Sequence, residues 1–213
     1  MQGRFCRLEP LDPARHAQDL FAANQLDTDG RNWTYLFQEP FAEFGSYRAW
    51  LEQVAKSDDP LFHTIIDLET EKPVGVATFM RIDRPNGVIE VGNINYSPLL
   101  QRTPAATEAM FLMMRRAFDE LGYRRYEWKC DSLNAPSRTA ALRLGFQFEG
   151  IFRQAVIYKS RNRDTAWFSM IDSEWLALKR AYEQWLAPEN FEAEGRQRRK
   201  LTELIATARE SRG

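Results

Sequence analysis

The spacing of apolar and polar residues changes period several times along the chain, and each change marks an element. Arg4 to Glu9 reads as a short strand closed by Pro10-Leu11-Asp12-Pro13. Asp12 then caps a helix that has Pro13 at its first position and runs to about Leu26. Trp33 to Phe44 is rich in aromatics, contains Pro40 and is followed by Gly45, so it reads as a loop. A second helix starts at Ser46, with Trp50, Leu51 and Val54 on its apolar face. Leu61 to Leu68 and Val74 to Ile82 flank Glu69-Thr70-Glu71-Lys72 as a hairpin, and Val88 to Tyr96 follows the Pro85-Asn86-Gly87 turn as a third antiparallel strand.

From Ala106 the period becomes helical. Met110, Met113, Ala117 and Leu121 recur on one side with Phe111, Met114 and Phe118 beside them, while Glu108, Arg115, Arg116 and Asp119 are assigned to solvent. Gly122 ends this helix. Tyr126, Trp128 and Cys130 then alternate with Arg125, Glu127 and Lys129, the two-residue period of a strand. A helix from about Asn134 to Leu144 stops at Gly145. Phe146 to Tyr158 and Asp164 to Ile171 are strands around the charged turn Lys159 to Arg163. A closing helix places Trp175, Leu178, Tyr182 and Trp185 on one stripe and ends at Pro188.

The resulting order is β-α-α-β-β-β-α-β-α-β-β-α, an α/β (α+β) domain over residues 1–188. The strand-helix-strand unit from residue 88 to 130 requires a right-handed crossover, which sets two parallel strands side by side in an otherwise antiparallel sheet. Ligands often sit where such a sheet changes character. Residues 189–213 form a separate helical extension, with Leu201, Leu204, Ile205 and Ala208 at helical spacing. It is expected to pack on the domain or on a second subunit. Its Arg196-Gln197-Arg198-Arg199-Lys200 run, flanked by acids, is read as a solvated helix face rather than a nucleic-acid contact.

Composition narrows the function classes. At 213 residues, 44% hydrophobic and 28% charged, the chain is an ordinary globular protein with enough Trp, Tyr and Phe for a substantial core. Its 29 basic and 30 acidic residues give a net charge of -1, which provides no field to attract nucleic acid or an anionic membrane. The longest apolar run, Ala109 to Met114, is far short of a membrane span, and the first residues lack the apolar stretch of a secretory signal. Cys6 and Cys130 are too few for a disulfide framework or cysteine zinc site, and His16 and His63 belong to no spaced ligand cluster. A cytoplasmic protein with reduced thiols and no metal centre is expected. Cys130 reads as a core residue, with no histidine close in sequence to activate it.

Three stretches in order resemble the GNAT acetyltransferase superfamily, in its RimJ/RimL-like branch of ribosomal-protein N-terminal acetyltransferases. They are Ile94-Asn95-Tyr96-Ser97-Pro98, the run Gln101-Arg102-Thr103-Pro104-Ala105-Ala106-Thr107-Glu108-Ala109, and Asn134-Ala135-Pro136-Ser137-Arg138 followed by Leu142-Arg143-Leu144-Gly145-Phe146 and Glu149-Gly150. The resemblance covers roughly residues 4–175. It implies a GNAT fold, acetyl-CoA as acetyl donor, and a primary amine as acceptor. It also implies that Ile94, Asn95 and Tyr96 pair with the pantetheine arm and that a backbone N–H near Ile94 polarises the thioester carbonyl. The second run corresponds to the pyrophosphate loop, with Thr103, Ala105, Ala106 and Thr107 as backbone donors and Arg102 as a phosphate partner. Asn134, Ser137 and Arg138 are its further contacts, although Asn134 is equally placed to cap a helix.

Two positions depart from the pattern. Pro104 stands where the family prefers a glycine and removes one donor, while its fixed φ still suits a first helical turn. Ala141 stands where the family often has a tyrosine acid, so thiolate release would use water, Ser137 or another group. A base must free the amine's lone pair. Glu90 is the first candidate, because alternation puts it on a face with Val88, Gly92, Ile94 and Tyr96, an apolar setting that would raise its pKa. Asp131 is the second, and Tyr158 and Asp164 border the late hairpin as candidate acceptor-pocket residues.

The reading is an acetyl-CoA-dependent N-acetyltransferase acting on a protein N-terminus, as the resemblance implies, or on a small amine, over which the aromatic segment Trp33 to Phe44 could close. The competing reading is a non-catalytic acyl-CoA-binding domain, motivated by Pro104 and Ala141. An edge strand and the terminal helix are surfaces on which a homodimer could form.

Overall fold

The computed structural model describes residues 1–193 and 195–210. Seven strands form one sheet: β1 (Cys6–Pro10), β2 (Leu61–Asp67), β3 (Pro73–Asp83), β4 (Val88–Tyr96), β5 (Arg125–Asp131), β6 (Gln147–Tyr158) and β7 (Arg161–Ile171). Their spatial order is β1-β2-β3-β4-β5-β7-β6, and β4–β5 is the parallel pair in an otherwise antiparallel sheet. The helices are α1 (Pro13–Asn24), α2 (Phe44–Val54), α3 (Pro104–Arg115), α4 (Ala135–Arg143), α5 (Asp172–Leu186) and α6 (Leu201–Glu210). The α+β architecture is the one expected, and no described helix is long and apolar enough to cross a membrane.

Local chemistry starts the helices. The Asp12 carboxylate accepts from the Ala14 amide, the Thr103 hydroxyl from Ala106 and the Asn134 side chain from Ser137; α1, α3 and α4 each have a proline in their first two positions. α2 begins at Phe44, two residues before the expected Ser46. α3 crosses one sheet face beneath α5 and is buried almost all round. There Phe111 stacks on Tyr182 at 5.1 Å, and Phe118 on Trp175 at the same separation. On the opposite face α1, α2 and the aromatic loop cover β2 and β3 with Leu20, Trp33, Tyr47, Leu51 and Phe62.

Three sequence expectations are corrected. Glu108 is not on a solvent face: it is 3% exposed, and its carboxylate accepts from the amides of Arg4, Phe5 and Cys6, tying β1's approach to α3. Three donors on one carboxylate compensate its burial, which the periodicity of a single helix cannot register. In β4, a two-residue step on β3 (Val76 to Thr78) faces a three-residue step from Asn95 to Gly92, with Asn93 at φ 46°. This bulge flips the alternation. Ile94 and Tyr96 join Ile89 and Val91 on the α3 side, while Glu90 lies on the other face. Finally, the basic run at 196–200 precedes α6 rather than lying on it; Arg196 pairs with Glu192, and the Arg199 amide donates to Asn190.

The extension turns back on the domain. Leu201, Leu204 and Ile205 of α6 are buried in the same core as Leu178, Tyr182 and Trp185 of α5, and Arg209 donates to the Gly145 carbonyl. The β6–β7 turn is tighter than expected, with Lys159 and Ser160 both at positive φ between the strands. Its tip docks on the aromatic loop, where Lys159 donates to the Trp33 carbonyl at 2.8 Å and Arg161 to that of Thr34.

Candidate functional site

The parallel ladder between β4 and β5 runs only from Val88↔Arg125 to Val91↔Trp128. Beyond it the two strands part: β4 continues with β3 to Tyr96, and β5 with β7 to Asp131. The opened edge of β4 therefore carries backbone groups with no strand beside them. The Ser97 amide donates to Val74, so by the alternation of an antiparallel ladder Asn95 also faces β3, and the N–H and C=O of Ile94 and Tyr96 point into the gap. The Tyr96 carbonyl is taken by the side chains of Asn32 and Gln101, at 3.1 and 2.8 Å. Ile94 keeps both its groups toward the opening.

α3 begins beside this gap. The Tyr96 hydroxyl donates to the Ala106 carbonyl at 3.2 Å, which fixes the end of β4 under the first turn of the helix. Not every amide expected as a donor is free. Thr103 N–H donates to Leu100 at 3.3 Å, and Ala106 N–H to the Thr103 hydroxyl at 3.2 Å. Ala105 and Arg102 find no partner for their amides among the described residues. Arg102 holds φ at 63°, which turns the loop onto the helix start, where the helix dipole favours an anion. Thr107 is buried, and its hydroxyl accepts from Arg143 at 3.0 Å. Arg143, absent from the sequence candidates, thereby brings a guanidinium from α4 to the first turn of α3. Its only signal was its place inside Leu142-Arg143-Leu144.

The far wall of the gap is the end of β5 and the start of α4. Asp131 is 4% exposed; it accepts from the Tyr158 hydroxyl at 2.8 Å and the Leu133 amide at 2.9 Å. Burial raises the Tyr158 pKa, and the hydrogen bond and charge of Asp131 raise it further, so its hydroxyl stays protonated. Asn134 caps α4, and the Ser137 hydroxyl accepts from the Trp128 indole at 2.9 Å. Arg138 is turned toward the Ser132 carbonyl at 3.1 Å and over the Phe148 ring at 5.8 Å. Asp164 holds the β6 bulge, accepting from the Gln154 amide at 2.7 Å, which together with the Asn162 side chain lowers its pKa. Ala141 is fully buried.

Glu90 does not have the apolar setting expected of it. Its carboxylate lies between Arg81 at 2.7 Å and Lys129 at 2.9 Å; Lys129 also pairs with Glu127 at 2.7 Å and sits 3.7 Å over the Trp167 ring. Both of its oxygens are thereby engaged by cations rather than free in an apolar pocket. The cause is again the bulge, which puts this residue on the face opposite Ile94 and Tyr96.

On that same face a cavity of about 270 Å³ adjoins the bulge, walled by Trp33, Phe37, Trp50 and Phe62 and floored by Asn93 and Asn95. Asn95 is 4% exposed. The sequence marks Trp33 to Phe44 as an aromatic loop able to close over a small amine; the α2 and β4 residues that complete the volume show only in three dimensions.

Comparison with known proteins agrees with this geometry. A family model described as an acetyltransferase (GNAT) domain matches residues 6–147. The crystal structure of a GCN5-related N-acetyltransferase from Brucella melitensis is 54% identical, covers 96% of this chain and 93% of that one, and superposes with a TM-score of 0.94. A probable acetyltransferase (GNAT family) from Chromobacterium violaceum is 42% identical over 82% of this chain and 86% of that one, with a TM-score of 0.76. Among curated proteins, the uncharacterized N-acetyltransferase p20 of Bacillus licheniformis is 31% identical over 112 residues, which is 53% of this chain and 62% of that protein, so less than two thirds of its length is matched.

Proposed function

The chain belongs to the GNAT acetyltransferase family, and we propose that it moves the acetyl group of acetyl-CoA directly to a primary amine. The observation that carries this reading is the opening of the β4–β5 ladder after Val91 and Trp128, with Ile94 N–H turned into it beside the start of α3. The residues fit the donor. An extended pantetheine arm can pair with the free groups of Ile94, and the Ala105 and Arg102 amides with the Arg143 guanidinium suit a pyrophosphate. Pro104 keeps the helix start without closing this set, since the donor it lacks would be one among several.

In this reading Ile94 N–H draws electron density from the thioester carbonyl oxygen. Asp131 takes the amine's proton through water, and the Tyr158 hydroxyl bonded to it is a protonated donor on the same wall, in place of the tyrosine missing at Ala141. Glu90, held by two cations, keeps β4 and β5 together where the opening starts. Ser137 fixes the Trp128 ring.

Calorimetry with acetyl-CoA, beside thermal melts of wild type and Ala106→Glu, tests the donor site. A ligand at 100 times its dissociation constant stabilises the native state by about 2.7 kcal/mol. Glutamate is a favoured residue at the third helical position, so the variant folds while placing a carboxylate where the pyrophosphate would lie. Wild type shifts and the variant does not; absence of a shift in wild type rejects the reading. Pro104 and Ala141 favour the second reading, a non-catalytic acyl-CoA-binding domain. Acetyl-CoA binding without thiol release on any amine would establish that reading instead.

A further inference from the structure

Three segments of the chain meet at one oxygen. The carbonyl of Tyr96, the last residue of β4, accepts from the Asn32 side chain at 3.1 Å and from the Gln101 side chain at 2.8 Å. The Gln101 amide spends its second proton on Asn32 Oδ1 at 2.7 Å. Asn32 belongs to the segment that leads into the aromatic loop, and Gln101 precedes Arg102 at the turn onto α3. A carbonyl oxygen has two lone pairs, so the chain itself fills this acceptor. On this edge the pantetheine arm is left the groups of Ile94, and the Tyr96 carbonyl has a different task.

The loop is fastened on both sides of the gap. Asn32 ties it to the end of β4, and the Tyr35 hydroxyl donates at 3.1 Å to the carbonyl of Leu133, just past the end of β5. Residues 32–35 therefore bridge two strands that have parted. The Asp27 carboxylate accepts from the amides of Arg31 and Asn32, at 3.2 and 2.9 Å, so Asn32 leaves Tyr96 only by moving this whole turn. Trp33, 3% exposed, carries the position of the turn into the aromatic cluster, edge to face with Phe41 at 5.6 Å and Trp50 at 6.4 Å. The two ties differ in what they grip. Leu133 lies on a loop, whereas Tyr96 lies on the strand edge proposed to take the donor, next after Ile94 on that edge.

We propose that Asn32 is a positioning residue that links acetyl-CoA on β4 to closure of the aromatic loop through the Tyr96 carbonyl, with Gln101 as its brace. The ligand in this inference rests on the acetyl-transfer reading. A pantetheine arm paired with Ile94 turns the end of β4 from an edge into an inner strand and fixes the direction of the carbonyl beside it. A fixed acceptor holds Asn32, and through it the loop, more firmly. Linkage makes this reciprocal: a fastened loop holds the donor more firmly by the same factor. Asn32 touches neither the acetyl group nor the amine in this assignment; it sets the strand that meets the donor.

Hydrogen exchange and calorimetry on the full chain test the link. The Trp33, Thr34 and Leu36 amides donate to carbonyls of the same turn, so exchange over residues 31–39 reports its opening. In wild type, saturating acetyl-CoA should slow that exchange by roughly tenfold. Asn32→Ala should exchange faster, lose the slowing, and bind acetyl-CoA more weakly by a matching factor of roughly ten. Tyr35→Phe frees the loop from Leu133 but keeps the contacts at Tyr96; it should exchange faster yet retain the slowing. Acetyl-CoA that fails to bind wild type rejects the transfer reading and this proposal with it. Acetyl-CoA that binds without changing exchange of the loop overturns the proposal and spares that reading. Slowing that survives in Asn32→Ala makes the residue a structural fastening only, and slowing lost in Tyr35→Phe moves the link to the β5 wall. Either result overturns the assignment of Asn32.

Discussion

The two ends of β4 invite comparison, because each borders a cavity and the larger one is at the wrong end. Where β4 enters the sheet, Leu61, His63, Phe79, Ile89, Arg116 and Tyr123 surround about 500 Å³, nearly twice the space at the bulge. Here the ladder is closed: Val88 pairs with Arg125, Ile89 with Tyr126, and the amides of Arg124 and Arg125 both donate to Gly87. His63 Nδ1 meets the Leu61 carbonyl at 3.3 Å. At the other end the ladder has parted, Ile94 turns its backbone groups into the gap, and Trp50 Nε1 and Asn95 Oδ1 are buried with no partner among the described residues. Empty volume is common at protein surfaces, whereas unsatisfied polarity is costly. The difference teaches that a site is better found by its unpaired donors and acceptors than by its size.

What keeps the closed end closed is the first way to break this comparison. Lys129 follows the last paired residue of β5 and joins Glu90 of β4 to Glu127, all three side chains at most 8% exposed. Lys129→Met leaves each carboxylate a single arginine partner, and removal of one member of a buried ionic set costs roughly 3–5 kcal/mol. Denaturant unfolding should record that loss, and Glu90→Gln with Glu127→Gln in the same background should recover much of it. Arg81→Met, at a half-exposed arginine, should cost less than about 1 kcal/mol. A loss as small for Lys129 would mean that hydrogen bonds alone set where the strands part.

The elements around this junction were legible in the sequence, and the junction's chemistry was not. Alternation at Tyr126, Trp128 and Cys130 and the helical period after Ala106 are local signals, so the crossover and the parallel pair followed from them. The start of α3 was legible because Thr103 and Pro104 begin a helix by short-range chemistry. Glu90 was misplaced because one extra residue at Asn93 reverses the face of everything after it; Gly92 beside it is the local signal of a bulge, and it reads equally as one more strand position. Glu108 looked like a solvent residue because its three donors come from residues a hundred positions away. Trp50 read as one more apolar helix residue. That its indole N–H lacks a partner is a fact of three dimensions.

The closed end should respond to acid and not to substrate. Burial pushes the His63 pKa down to about 4, against about 6.5 for an unfolded chain. Between those values the unfolded state binds more protons, so stability rises with pH from about 4 to 6.5 and the penalty is fully absent above that window. His63 should contribute roughly 2–3 kcal/mol of this rise, and His63→Phe, which also fills part of the larger cavity, should lose that share while the part due to His16, also lowered by burial, remains. Chemical denaturation at pH 4.5 and 7.5 measures it. Acetyl-transfer kinetics at pH 7.5 should be the same in both proteins; a changed KM would show that the two ends of β4 are coupled.

The smallest effect bears on the open end itself. Thr103 spends its hydroxyl on the Ala106 amide, a group that would otherwise face the proposed pyrophosphate position. Thr103→Ala removes this cap and costs about 1 kcal/mol, a fall of roughly 2–4 °C in Tm for a domain of this size. It also releases one more N–H at the positive end of α3. If phosphate oxygens lie there, they take up the released donor and return part of the lost stability. The gap in Tm between variant and wild type should therefore narrow when acetyl-CoA is saturating. A gap that stays constant would mean that the ligand does not touch the first turn of α3. A gap that widens would mean that the Thr103 hydroxyl itself is a ligand contact, with the cap serving both folding and binding.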